Sequence, residues 1–133
     1  MKELIAAAAS LGLILFAALA FSAEVPFNQA QFDAARASGK PIAVVFHADW
    51  CPTCRAQAPL LKDLSQNPEF SWLTLYIANY DQEKDLKKSL GVSQQSTLVV
   101  FKRGHEVARS TGDTNDASLG ALLRQAISRS LER

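Results

Sequence analysis

The sequence is poor in metal-binding residues and in excess charge of either sign. Its 133 residues hold two cysteines and two histidines, and 14 basic against 13 acidic side chains leave a formal charge of +1. With the two signs interspersed there is no basic stripe to neutralise phosphates, which argues against nucleic acid as a partner. Lys84, Lys87 and Lys88 read as a solvated helix face. A zinc site wants about four ligands, and beyond the cysteines the chain offers only His47 and His105, so zinc fits poorly. Linkers, internal repeats and low-complexity tracts are lacking too. The length then suits one small globular domain after any targeting segment.

Both cysteines fall in one stretch, Trp50-Cys51-Pro52-Thr53-Cys54. Proline lacks a backbone donor and is favoured in the first helical turn, so Cys51 is expected at a helix cap and Cys54 one turn in. At the cap, unpaired N–H groups and the positive end of the helix dipole favour a thiolate over a thiol. One sulfur is then exposed and nucleophilic, and the other is a close resolving partner. A purely structural disulfide over so short a loop would constrain the unfolded chain little.

Lys2, an apolar run from Leu4 to Phe21, and the small residues Ser22 and Ala23 read as an export signal. Residues 1–22 are therefore expected to be a signal peptide or an N-terminal anchor, and 23–133 the domain. The run is nearly long enough to span a bilayer, and either outcome places the cysteines outside the cytoplasm, where disulfides persist.

Asn28 and Gln31 form a capping-box pair, and Phe27 and Phe32 occupy hydrophobic-staple positions, which predicts a helix ending at Gly39. Ile42 to Phe46 is a continuous apolar run that fits a strand buried on both faces. The cysteine helix follows, with Ala56, Leu60, Leu61 and Leu64 on one face and Pro59 inside it as a kink. Trp72 to Ala78 is expected as a strand, and Asp81 as the cap of a short helix stopped by Gly91. Thr97 to Phe101 and Glu106 to Ser110 flank a turn at Gly104, a hairpin signal, and a last helix starts near Asp116. This order predicts an α/β sandwich, with a mixed sheet covered on both faces.

On these motifs the chain resembles the thioredoxin family over almost everything after residue 22. Phe46 to Cys51 is similar to that family's passage from strand to active site, Ala58-Pro59-Leu60 to its kinked helix, and Thr97 to Gly104 to its closing hairpin. The resemblance implies a three-layer sandwich around a sheet of about four strands. The family's first strand is expected to be missing here, with Ser38-Gly39-Lys40-Pro41 feeding the core strand, as in secreted thioredoxin-like domains. Cys-Pro-Thr-Cys is similar to the motif of reducing thioredoxin-like proteins of cytochrome c maturation.

Two positions depart from the family pattern. Val45 stands where thioredoxins place a buried aspartate that helps move the resolving cysteine's proton, leaving His47 and Asp49 as candidate substitutes. Ser96 stands where the family has a cis-proline, in a loop that pairs with substrate backbone. A cis bond before a non-proline residue costs about 2.5 to 4 kcal/mol, so the Gln95-Ser96 bond is expected to be trans, with the serine hydroxyl near Cys51.

The expected activity is extracytoplasmic thiol-disulfide exchange, with Cys51 attacking and Cys54 resolving. Trp50, Pro52, Thr53, Gln95, Ser96 and Thr97 are expected to tune the site or bind substrate. Uncharged Pro52 and Thr53 favour reduction of protein disulfides over oxidation. No cofactor is needed, but for an exported reductase the family resemblance implies a membrane protein that relays electrons from the cytoplasm, and the enzyme is expected to be a monomer. The competing readings are a thiol oxidase of the same fold and a non-enzymatic binder of copper or another soft metal through Cys51 and Cys54, with His47 or Ser96 nearby.

Overall fold

The computed structural model describes residues 23–129; the apolar N-terminal segment lies outside them. Five strands form one mixed sheet in the order β1-β3-β2-β4-β5. They are β1 (Ala23–Pro26), β2 (Ile42–His47), β3 (Thr74–Asn79), β4 (Thr97–Lys102) and β5 (His105–Thr111). The helices are α1 (Gln29–Ala37), α2 (Pro52–Ser65), α3 (Lys84–Leu90) and α4 (Asp116–Ile127).

Central strand β2 runs parallel to β3 and antiparallel to β4, and β4 and β5 close an antiparallel hairpin. Because successive strand residues face opposite sides, β2 serves two cores. Ala43 and Val45 join Leu61, Leu64, Leu119 and Leu123 on the side of α2 and α4. Ile42, Val44 and Phe46 join Phe32, Tyr76, Leu86 and Phe101 on the other. Ile42 to Phe46 are all buried, as a strand covered on both faces requires.

The α1 signals work as expected. The Asn28 side chain accepts from the Gln31 N–H at 3.0 Å, and the rings of Phe27 and Phe32 meet at 5.5 Å. Phe32 also packs edge-on against Phe101, and its full burial contributes roughly 2 to 3 kcal/mol. Gly104 turns the β4–β5 hairpin at φ +81, and any Cβ there would lie 2.8 Å from the Arg36 carbonyl oxygen. The Arg36 guanidinium in turn donates to the Gly104 carbonyl, so the end of α1 and the hairpin turn are locked together.

Four expectations need correction. The first strand is present: β1 pairs in parallel with β3, with Ala23 opposite Thr74 and Pro26 opposite Ile77, and the Phe27 N–H continues to the Ile77 carbonyl. This edge strand is four residues long and has no apolar run of its own; β3 supplies its order. Trp72 lies outside β3, in a turn after a 3-10 turn at Pro68–Phe70, and is 77 % exposed. Short helix α3 starts at Lys84 with Glu83 as its cap, not at Asp81. On α2 the buried stripe is Cys54, Gln57, Leu61, Leu64 and Ser65, with Ala56 exposed. Residues 55–58 place Gln57, not Ala56, one turn below Cys54 on the inner face.

The chain enters β1 at the end of the sheet shared by Thr74 and Ile42, while Cys51 follows the opposite end of β2. At about 3.3 Å per strand residue, the two ends are roughly 20 Å apart.

Candidate active site

Buried strand β2 ends at His47, and the next residues turn sharply into α2. The Cys51 N–H donates to the Ala48 carbonyl at 3.1 Å. Cys51 is the N-cap of α2, with Pro52 at the first helical position and the Cys51 sulfur accepting from the Cys54 N–H at 3.2 Å. Both cysteines are reduced. They pack against Ala48 and Tyr80.

The sulfurs are more covered than expected. Cys51 is 7 % exposed and Cys54 1 %, so Cys51 keeps a narrow accessible edge rather than an open face. Their acidities separate. The Cys54 thiol, followed by backbone N–H groups and the Ser96 hydroxyl, pulls the Cys51 pKa down against the cost of burial. Burial pushes the Cys54 thiol up, and the neighbouring Cys51 adds to that rise. The chemistry is asymmetric: the more acidic sulfur sits at the cap and the less acidic one beneath it.

Ser96 brings a hydroxyl to this pair from outside α2. It is 1 % exposed, and its hydroxyl lies 3.0 Å from Cys54 Sγ and 3.6 Å from Cys51 Sγ. No peptide bond among the described residues is cis, so the Gln95-Ser96 bond is trans as expected. Ser96 itself adopts φ +59, in the left-handed region that a non-glycine residue seldom occupies. Its backbone is held on both sides: the N–H donates to the Phe46 carbonyl at 2.8 Å, and the carbonyl accepts from the Gly112 N–H at 3.1 Å. Thr97, next in the chain, is buried, and its hydroxyl donates to the Gln94 carbonyl.

Gln57 completes the anchor and gave no signal in the sequence beyond lying three residues after Cys54. It is 1 % exposed, and its amide donates to the carbonyls of Asp113 at 2.9 Å and Ser96 at 3.3 Å. Helix α2 thereby holds the Ser96 loop in place over its own sulfurs.

Other expected site residues sit at the rim. Trp50 is exposed, and its indole N–H reaches Asp81 in the loop after β3. Pro52 and Thr53 are exposed, and Gln95 is half-buried. His47 and Asp49 bond to each other at 2.8 Å, and no hydrogen bond joins either to a sulfur among the described residues. His105 opens β5 opposite Lys102, at the other end of the sheet. No group of three or more His, Cys, Asp or Glu suited to a metal occurs among the described residues.

Val45 leaves an apolar wall beneath α2. A pocket of about 220 Å³ opens there, lined by Glu24, Val45, His47, Gln57, Lys62 and Ile77 among others. Neither cysteine is on its wall. Glu24 is largely exposed on β1, yet partial burial over this pocket raises its carboxyl pKa against the opposing pull of Lys62 and His47.

The family model "Thioredoxin" matches residues 23–125. The chain belongs to the thioredoxin family. It is 34% identical over 82 residues to Thioredoxin-1 of Saccharomyces cerevisiae, covering 62% of this chain and 78% of that one. Against the thioredoxin of Chlamydia pneumoniae it is 38% identical over 81 residues, covering 61% and 76%. The crystal structure of Trxlp from Edwardsiella tarda superposes with a TM-score of 0.73 at 39% identity, covering 76% of this chain and 98% of that chain. This thioredoxin-family protein is thus a thiol-disulfide oxidoreductase whose redox pair is Cys51 and Cys54, acting on protein disulfides.

Proposed function

We propose that this oxidoreductase works outside the cytoplasm as a reductase of protein disulfides, through the Cys51-Pro52-Thr53-Cys54 pair. The observation that carries the reading is the split between the sulfurs, with Cys51 lowered at the α2 cap and Cys54 raised beneath it. The Cys51 thiolate attacks a substrate disulfide and forms a mixed disulfide, expelling the first substrate thiolate. Cys54 then attacks Cys51, freeing the second substrate sulfur and leaving the Cys51–Cys54 disulfide. Two electrons pass from the enzyme dithiol to the substrate.

Pro52 and Thr53 bring no charge to the thiolate, and a less stabilised thiolate makes a more reducing couple. The apolar run between Leu4 and Phe21 supports export. An exported reductase must be recharged across the bilayer, so a membrane protein relaying cytoplasmic electrons is its partner, with the enzyme itself monomeric.

Equilibration of the purified domain with glutathione buffers tests the direction. A potential near thioredoxin's, about −270 mV, supports the reductase; one near the strong oxidants, about −120 mV, reverses the direction of electron flow. Compartment is tested separately, by fractionating the producing cell and sequencing the N-terminus of the recovered protein. A mature start between Phe21 and Glu24 in a soluble extracytoplasmic fraction supports export, and retention in the cytoplasm overturns it.

A further inference from the structure

Ser96 holds one hydroxyl proton against two sulfurs that need stabilising at different moments. A hydroxyl has one donor and two acceptor sites, and it rotates to suit its neighbours. Here it reaches Cys54 Sγ at 3.0 Å and Cys51 Sγ at 3.6 Å. Its backbone cannot easily withdraw: Phe46, Gly112 and Gln57 hold both peptide groups, and they keep it at φ +59 despite the strain of that conformation. Among the described residues no side chain outside the cysteine pair other than Ser96 makes a hydrogen bond to either sulfur; Val45 is apolar, His47 and Asp49 are paired with each other, and the remaining donors are backbone N–H groups fixed in place.

We propose that Ser96 serves the two sulfurs in turn, donating to the Cys51 thiolate in the reduced enzyme and turning to Cys54 once Cys51 is bound in a mixed disulfide. In the first state the Ser96 O–H and the Cys54 S–H both point to the Cys51 thiolate, with the Ser96 oxygen 3.0 Å from Cys54 Sγ. When Cys51 attacks, its sulfur loses its negative charge and no longer holds the donor. Cys54 then releases its proton to water, and the rotated Ser96 hydroxyl stabilises the thiolate that forms. That thiolate attacks Cys51 Sγ; the bond from Cys51 to the substrate sulfur breaks, its electron pair leaves with the substrate, and water returns a proton there. No oxidant or reductant beyond the substrate disulfide and the enzyme dithiol is consumed. The Ser96 hydroxyl lowers the pKa of both thiols, as a donor shared between them must.

The inference rests on Cys51 as the attacking sulfur, which mass spectrometry of the alkylated parent protein checks by itself: modification of Cys54 first refutes that assignment whatever Ser96 does. Ser96 is then tested with an aromatic disulfide that releases one coloured thiolate when Cys51 attacks and a second when Cys54 resolves, followed by stopped flow across a pH series. Ser96→Gly and Ser96→Ala both remove the hydroxyl, while glycine relieves the left-handed backbone and alanine does not. Both variants should raise the apparent pKa of both phases by about one unit, the effect of one hydrogen bond to a charged group. Each phase should then be about tenfold slower at pH values below its parental pKa and recover at alkaline pH. A parental pH profile in either phase overturns the proposal. A shift confined to the alanine variant, or a loss that persists at alkaline pH, assigns the effect to backbone structure and overturns it as well.

Discussion

The indole N–H of Trp50 donates to an Asp81 carboxylate oxygen across 2.7 Å, tying the loop before the cysteines to the loop after β3. Both partners are exposed, so the bond contributes within about 1 kcal/mol to stability. Its effect should fall on substrate capture. Asp81→Ala is expected to leave the melting temperature nearly unchanged and to raise KM for a protein disulfide a few-fold, with the Cys51 alkylation profile intact. Steady-state kinetics beside a thermal melt check this; a large loss of stability with unchanged KM contradicts it.

Gln57→Ala should be costly. The substitution leaves a void on the buried face of α2 and removes the side-chain donor to the Asp113 carbonyl and one of the two donors to the Ser96 carbonyl, together about 2 to 4 kcal/mol. Urea denaturation should show that loss with an unchanged m-value. Catalysis should suffer as well, because the Ser96 loop loses its tie to the cysteine helix.

The two thiols should separate by pH. Cys51, lowered, remains a thiolate at pH values where Cys54, raised, is protonated. Iodoacetamide should modify Cys51 first, with a rate that falls only below the ordinary thiol range near 8.5. Cys54→Ser should accumulate mixed disulfides with substrates and Cys51→Ser none. Equal labelling of both sulfurs counts against these roles.

Glu24 sets a sign for stability against pH. Its folded-state pKa is raised, chiefly by burial, so the folded state favours the protonated carboxyl. The stability this group contributes is fully present below its unfolded pKa and is lost as pH rises through the folded value. Glu24→Gln should therefore be more stable than the parent at pH 7, and the difference should vanish on acidification through the carboxylate range. The size is small because the residue is largely exposed. Urea midpoints at several pH values give the comparison.

Ser96→Pro should destabilise. Proline fixes φ near −65° and has no N–H, whereas Ser96 sits at φ +59 and donates to Phe46. A loss of about 3 kcal/mol or more is expected unless the loop rebuilds; a parental melting temperature contradicts the backbone description given above.

Where local physics suffices, the sequence was readable. The Phe27–Phe32 staple, the run Ile42 to Phe46, the proline after Cys51, Gly91 as the stop of α3 and the Gly104 hairpin all act within a few residues of themselves. The features that escaped depend on distant partners. Strand β1 exists because β3 lies alongside it about fifty residues later. Aromatic residues often mark strands, so Trp72 was assigned to one, yet the 3-10 turn before it throws it outward. Gln57 carries no local signal, because its burial depends on the distant carbonyls of Ser96 and Asp113. At Ser96 the trans bond followed from intrinsic cost, but the left-handed twist and the approach to Cys54 come from tertiary ties that periodicity does not encode.

The polarity of β1 sets the direction of any tether. The chain enters the domain at Ala23, opposite Thr74, at the pole roughly 20 Å from the cysteine loop. A leash attached there points the sulfurs outward, away from its own attachment. A disulfide lying close against the anchoring surface would be out of reach unless the domain toppled, whereas one on a projecting loop or a freely diffusing protein would meet Cys51 head-on. Without a leash the same polarity constrains nothing, so for a form that keeps residues 1–22 as an anchor, release from it should widen the substrate range.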